Sequence, residues 1–218
     1  MHYSRLVTVF HGILVIYIEV FMFDVTAIVL TGGKGSRMGS IDKSRIEINE
    51  VPIIDHLVAT LRQWFKAVII VTCAGREYDY PNVEVVIDAE SEFGPVMGLY
   101  CGIKASSTKY NFVMACDMPW PNETIIALML QRIGEHEAAM AQINGKYQSL
   151  MAIYHKNTES TLLACISAKQ HRLRDFLAQL DLAVLSEAEI KAIDPLMRAF
   201  TNINSAADLD VARNYKQL

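Results

Sequence analysis

Leu30-Thr31-Gly32-Gly33-Lys34-Gly35-Ser36-Arg37-Met38-Gly39-Ser40-Ile41-Asp42-Lys43 directly follows an apolar, β-prone run at residues 25–30. Glycines at 32, 33, 35 and 39 let the backbone turn tightly and bring its N–H groups close to an anion. Arg37 and Lys43 add the positive charge that a polyphosphate requires. A plain surface turn needs fewer glycines and no paired cations. The two commoner phosphate loops fail on spacing. A Walker A loop ends in Gly-Lys-Ser/Thr, whereas Gly33-Lys34 is followed by Gly35; a Gly-x-Gly-x-x-Gly fingerprint beginning at Gly33 meets Met38 where its third glycine belongs.

Outward from this loop, strand and helix patterns alternate. Ile53, Ile54, Leu57, Val58, Leu61, Trp64 and Phe65 recur at helical spacing, and residues 67–73 and 83–87 read as strands. A helix is predicted over 96–105 and a strand over 110–115. Asn122 caps a helix reaching about residue 133. Asn144-Gly145 turns a hairpin between residues 138–143 and 149–154, bringing antiparallel character late in the sheet. Helices near 159–168 and 172–180, a strand near 182–185 and a last helix from Ser205 complete the pattern. It implies one α/β domain of Rossmann-like type: a mostly parallel sheet, right-handed crossovers, helices on both faces, and a ligand crevice outside the carboxyl ends of the strands.

That architecture selects polar residues just beyond strand ends. Asp88 ends the strand at 83–87, and Asp117 follows the strand at 110–115 within Cys116-Asp117-Met118-Pro119. A carboxylate placed like Asp117 suits Mg²⁺, a hard cation that takes few protein oxygens and fills its shell with phosphate oxygens and water. The four cysteines are far apart and the six histidines are scattered, so neither a zinc site nor a disulfide framework is expected. A net charge of −4 offers no basic field for nucleic acid or an anionic membrane.

The loop, read as Leu-x-Gly-Gly-x-x-x-Arg-Met-Gly-x-x-Lys, resembles that of the MobA-like nucleotidyltransferases, in particular the bacterial molybdenum cofactor guanylyltransferases, whose sheet is of the nucleotide-diphospho-sugar transferase kind. Other segments extend the likeness over most of residues 22–218: Gly94-Pro95-Val96-Met97-Gly98, Gln148-Ser149-Leu150-Met151-Ala152, Arg172-Leu173-Arg174 and Phe200-Thr201-Asn202-Ile203-Asn204-Ser205. Met97 stands where a small residue is usual, Thr31 where alanine is, and Thr72-Cys73-Ala74-Gly75-Arg76 lacks the asparagine common in its loop.

The resemblance implies that the terminal phosphate of molybdopterin, metal-loaded or not, attacks the α-phosphate of GTP and releases pyrophosphate. Arg37, Lys43 and Asp117 are the implied catalytic residues, with Asp117 on Mg²⁺. Leu30, Thr31, Gly32, Gly33, Lys43, Asp88 and Asp117 meet the nucleotide; Gly94, Pro95, Gly98, Gln148, Arg172, Arg174, Asn202 and Asn204 are the implied substrate contacts. A cytoplasmic enzyme is implied, in transient contact with other cofactor-biosynthesis proteins and acceptor enzymes. A molybdopterin cytidylyltransferase, a cobinamide-phosphate guanylyltransferase, a sugar-phosphate nucleotidyltransferase and a non-catalytic nucleotide-binding module are the alternatives.

Residues 1–21 fall before the point, near Met22, where this family usually begins. The apolar run at 6–18 is shorter than the ~20 residues that span a bilayer, and no small-residue cleavage site follows it. A dispensable extension is expected there, with a membrane anchor or an extra packed element as alternatives.

Overall fold

The computed structural model describes residues 6–10, 13–17, 22–31, 42–88 and 94–213. Its centre is a strand, β3 (Phe23–Leu30), whose last six residues are all buried. A continuous apolar run of this kind belongs to a strand covered on both faces. Around it stand β6 (Phe65–Cys73), β7 (Val83–Asp88), β8 (Tyr110–Ala115), β9 (Ala138–Ile143), β10 (Lys146–His155) and β11 (Leu182–Ser186), in the order β11-β9-β10-β8-β3-β6-β7. β3 pairs in parallel with both β6 and β8, β6 with β7, and β9 with β11. Only β10 runs against its two neighbours. The mostly parallel sheet and its one late antiparallel strand agree with the sequence pattern.

Helices cover both faces. On one side α1 (Ile53–Trp64) buries Ile53, Ile54, Leu57, Val58 and Leu61, and α3 (Glu123–Ile133) buries Ile125, Ile126, Met129 and Ile133. On the other, α2 (Pro95–Ala105), α4 (Thr158–Ser167) and α5 (Leu173–Leu177) pack over Ile28, Ile69, Val113 and Tyr154. Gly102 is essential to that packing: a Cβ there would lie 2.4 Å from Cγ2 of Ile28, so only glycine lets α2 approach β3 so closely.

The predicted cap and turn are present. Asn122 accepts a hydrogen bond from the Ile125 N–H at 3.1 Å. Asn144 and Gly145 have φ of 50° and 72°, the left-handed pair that a two-residue hairpin turn requires. Three features lay outside the sequence pattern. β4 (Glu47–Ile48) and β5 (Val51–Pro52) form a short hairpin ahead of α1. α6 (Glu187–Ile193) follows β11, held by a capping box between Ser186 and Glu189. α5 is shorter than residues 172–180. The last helix, α7 (Ala206–Arg213), starts where Ser205 predicted it.

Within residues 1–21, β1 (Leu6–Phe10) and β2 (Ile13–Tyr17) pair only with each other, apart from the seven-stranded sheet. Among the described residues, no helix is long and apolar enough to cross a membrane.

The chain builds β3, β6 and β7 outward in one direction, then crosses to place β8 on the other side of β3. This reversal opens a crevice between the carboxyl ends of β3 and β8, the position where open α/β sheets bind ligands.

Candidate active site

The floor of the crevice is backbone. Leu30 of β3 and Ala115 of β8 lie side by side in register. Beyond them the Thr31 N–H donates to the Val71 carbonyl at 2.9 Å, and the Cys116 N–H donates to the Leu30 carbonyl at 3.0 Å. The chain then turns, with the Met118 N–H bonded to the Ala115 carbonyl at 3.2 Å, which leaves Asp117 at the corner just past the strand. The Asp117 carbonyl accepts from the Ile203 N–H at 2.8 Å, so the carboxy-terminal segment is tied to this corner.

Three distant stretches of chain meet there. Lys43 donates through Nζ to Oδ1 of Asn204 at 2.8 Å and stands 3.7 Å from Oδ2 of Asp117. Lys43 opens a single 3-10 turn, Lys43–Arg45, capped by Asp42, which accepts from the N–H and hydroxyl of Ser44 at 3.1 and 2.7 Å. Asn204 is fixed through its backbone. Asp208 accepts from the N–H groups of Asn204 and Ser205 at 2.9 and 2.8 Å, while the Ser205 hydroxyl caps α7 by accepting from the Asp208 N–H at 3.2 Å. The Asn204 N–H and then the Ser205 hydroxyl, which also donates to the carboxylate at 2.8 Å, hold the Asp208 carboxyl below the usual carboxylate range.

The electrostatics are those of a partly desolvated carboxylate. Burial raises the Asp117 carboxyl above its ordinary value, and the Lys43 ammonium opposes the shift. The neighbouring Cys116 thiol is pushed up to about 12, first by burial and then by Asp117 and Asp42, so it is protonated at neutral pH and unsuited to nucleophilic attack. None of the described cysteines is in a disulfide; Cys116 and Cys165 are buried, Cys73 and Cys101 half-buried.

The other predicted residues are distributed around this cluster. Leu30 and Thr31 form its floor; the Thr31 hydroxyl donates to the Val71 carbonyl at 3.1 Å. Asp88 is buried at the end of β7, and a Cβ on Gly98 would stand 3.9 Å from its Oδ2 and 3.7 Å from Leu30 Cδ2. Gly94 enters α2 with φ of 59° and ψ of −145°, a conformation that only glycine adopts without strain, and Pro95 occupies the first turn. Gln148 lies in the irregular stretch of β10 between Tyr147 and Ala152 and donates to the Lys146 carbonyl at 3.3 Å. Arg172 and Arg174 are exposed at the start of α5, Arg174 paired with Asp175 at 3.3 Å, and Asn202 is exposed; these three are not drawn into the Lys43 cluster. Arg37, Gly32 and Gly33 lie outside the described residues.

Sequence reasoning missed two contributors. Asp42 has a local signal, being an aspartate placed to cap the turn that carries Lys43. Arg76 has none. It reaches from beyond β6 to donate to the Thr31 carbonyl at 2.7 Å and to pair with Asp42 at 3.3 Å.

A doubly flanked, mostly parallel sheet gathers a lysine, an aspartate and an asparagine at its switch point, and together with the family match that follows this makes the chain a nucleotidyltransferase. The family follows from comparison. The MobA-like NTP transferase domain matches residues 27–184, and the chain belongs to that family. A protein of Natranaerobius thermophilus named "Probable molybdenum cofactor guanylyltransferase" is 29% identical over 88% of this chain and 96% of its own length. One of Peptoclostridium acidaminophilum with the same name is 30% identical over 88% and 89%. Molybdopterin-guanine dinucleotide biosynthesis protein A of Archaeoglobus fulgidus shares the fold, with a TM-score of 0.74 at 19% identity over 87% of this chain and 97% of that one.

Proposed function

We propose that this chain transfers the guanylyl group of GTP to the terminal phosphate of molybdopterin, metal-loaded or not, forming the guanine dinucleotide cofactor and pyrophosphate. The observation that carries the reading is the convergence of Lys43, Asp117 and Asn204 at the switch point. The names of the relatives supply the base and the acceptor.

An oxygen of the acceptor phosphate attacks the α-phosphorus; that P–O bond forms as the bond from the α-phosphorus to the bridging oxygen breaks, and pyrophosphate leaves with the electron pair. The attacking group is already an anion, so no side chain has to accept a proton from it. The protein's task is therefore alignment and charge stabilisation. Lys43 neutralises phosphate charge, with Arg37 as a second cation.

Asp117 and Asn204 fit Mg²⁺, because a carboxylate oxygen and an amide oxygen are brought to the same ammonium and suit a hard cation that completes its shell with phosphate and water. Mg²⁺ held there would supply Lewis-acid stabilisation of the α-phosphate. Asp88, beside Leu30 and Gly98, belongs to the nucleotide side of the crevice. A GTP-dependent reaction places the protein in the cytoplasm, in passing contact with the proteins that supply and accept the cofactor.

The test is to incubate the protein with each nucleoside triphosphate in turn, Mg²⁺ and molybdopterin, and to measure pyrophosphate. Release with GTP and molybdopterin together is the expected result; release with CTP alone among the four would move the assignment to cytidylyl transfer.

A further inference from the structure

We propose that Arg76 is the positioning residue that fixes Lys43 in the site, by fastening the turn that carries Lys43 to the end of β3; the proposal rests on the reading of Lys43 as the phosphate contact. Arg76 uses one guanidinium nitrogen, Nη1, for two contacts: a hydrogen bond to the Thr31 carbonyl at 2.7 Å and an ion pair with Oδ1 of Asp42 at 3.3 Å. These partners differ in kind. Thr31, one residue past β3, is tied to the sheet through its N–H and its hydroxyl, both bonded to the Val71 carbonyl. Asp42 is eleven positions further on and is the cap of the turn whose first residue is Lys43.

The same segment braces the turn from outside. The Tyr78 hydroxyl lies 2.8 Å from the Ser44 hydroxyl, the Glu77 carbonyl accepts from Arg45 at 2.7 Å, and the Arg45 guanidinium sits over the Tyr78 ring. Residues 76–78 thus form a platform, with Arg76 its charged contact to both sides. The Arg76 and Asp42 side chains are only 20% and 21% exposed, so solvent screens their pair less than it would a surface pair. Arg76 makes no contact with Lys43 in this arrangement; its effect passes through the Asp42 cap and the turn.

Two measurements on the full chain test the assignment. In the first, lysines are acetylated with a water-soluble reagent and the labelling rate at each is read by mass spectrometry. Arg76→Ala should raise the rate at Lys43 several-fold while Lys66, Lys109 and Lys156 keep theirs, and Arg76→Lys should restore part of the protection. In the second, GTP affinity is titrated for Lys43→Ala, Arg76→Ala and the double variant. If Arg76 works through Lys43, the double variant binds as Lys43→Ala does. Losses that multiply would assign Arg76 a direct nucleotide contact and overturn the proposal, as would unchanged Lys43 labelling in Arg76→Ala. Should Arg76→Ala melt below the assay temperature, Arg76→Gln, which keeps a donor without the charge, is read in the same way. Absence of GTP binding by the unaltered protein would count against the proposed function, while the labelling result would still decide the role of Arg76.

Discussion

The two ends of the central sheet treat polar groups in opposite ways. At the amino end, Thr108 accepts from the Thr26 N–H at 3.0 Å and donates to the Tyr110 carbonyl at 2.8 Å, so a buried hydroxyl closes the start of the β3–β8 pairing with neutral bonds. At the carboxyl end, Lys43, Asp117 and Asn204 gather charge in a half-sheltered crevice, and burial pushes the Asp117 carboxyl upward. The first arrangement stabilises the native state. The second carries a standing electrostatic cost, which is characteristic of sites that act on ligands.

Asp117→Asn should have the largest effect. Loss of the carboxylate is expected to slow pyrophosphate release by about 10²–10³-fold, the range seen when one transition-state charge contact is removed. The fold should not suffer. Because the native carboxyl has a raised pKa, stability falls as pH rises from the ordinary carboxylate value through the raised one, and it stays lower at neutral pH. The asparagine variant removes that cost, so its Tm at pH 7 should equal or exceed that of the parent, as calorimetry would reveal.

Lys43→Ala comes next. A charged hydrogen bond to phosphate contributes about 1.5–3 kcal/mol, so GTP affinity should fall by roughly 10–150-fold. The lysine also opposes the upward shift of Asp117, and its removal should move the carboxyl titration, followed by carbon NMR, to still higher pH. Unchanged affinity would make Lys43 a surface residue.

At the other end the pattern inverts. Thr108→Val leaves the buried Thr26 N–H without its acceptor and should cost about 1–3 kcal/mol, or roughly 2–4 °C of Tm for each kcal/mol in a chain of this size. Its kcat/KM below the melting range should match the parent. Ser186→Ala, which removes the cap of α6, should cost about 1 kcal/mol. The same cap, with Arg132, holds Glu189 down at about 2, so its contribution is present above the ordinary glutamate range and lost as pH falls toward 2. Smallest of all, a chain beginning at Met22 should keep full activity, since β1 and β2 pair only with each other; loss of turnover on truncation would contradict this.

What the sequence made legible divides along the same line between local and distant. The strand at 110–115, the Asn122 cap and the Asn144-Gly145 turn are specified by neighbouring residues, and the structure has them where the pattern put them. Asp117 could be selected because a strand end is itself a local feature. α6 escaped because its apolar periodicity is short, with Ile190 its one buried residue. Arg76 escaped for a different reason: its partners, Thr31 and Asp42, lie 45 and 34 positions away, and only the parallel pairing of β3 with β6 brings them together. The convergence of Asn204 on Lys43, across 161 positions, was available only through the family resemblance.

The central claim, that nucleotide chemistry belongs to the carboxyl end alone, is tested most directly by replacing Mg²⁺ with paramagnetic Mn²⁺ in the presence of GTP and following the broadening of assigned backbone NMR signals. The account predicts GTP-dependent loss of the signals of Asp117 and Asn204, with those of Thr26 and Thr108 intact. Broadening centred on Thr26 and Thr108, or none at Asp117 with GTP and Mn²⁺ bound, would contradict it.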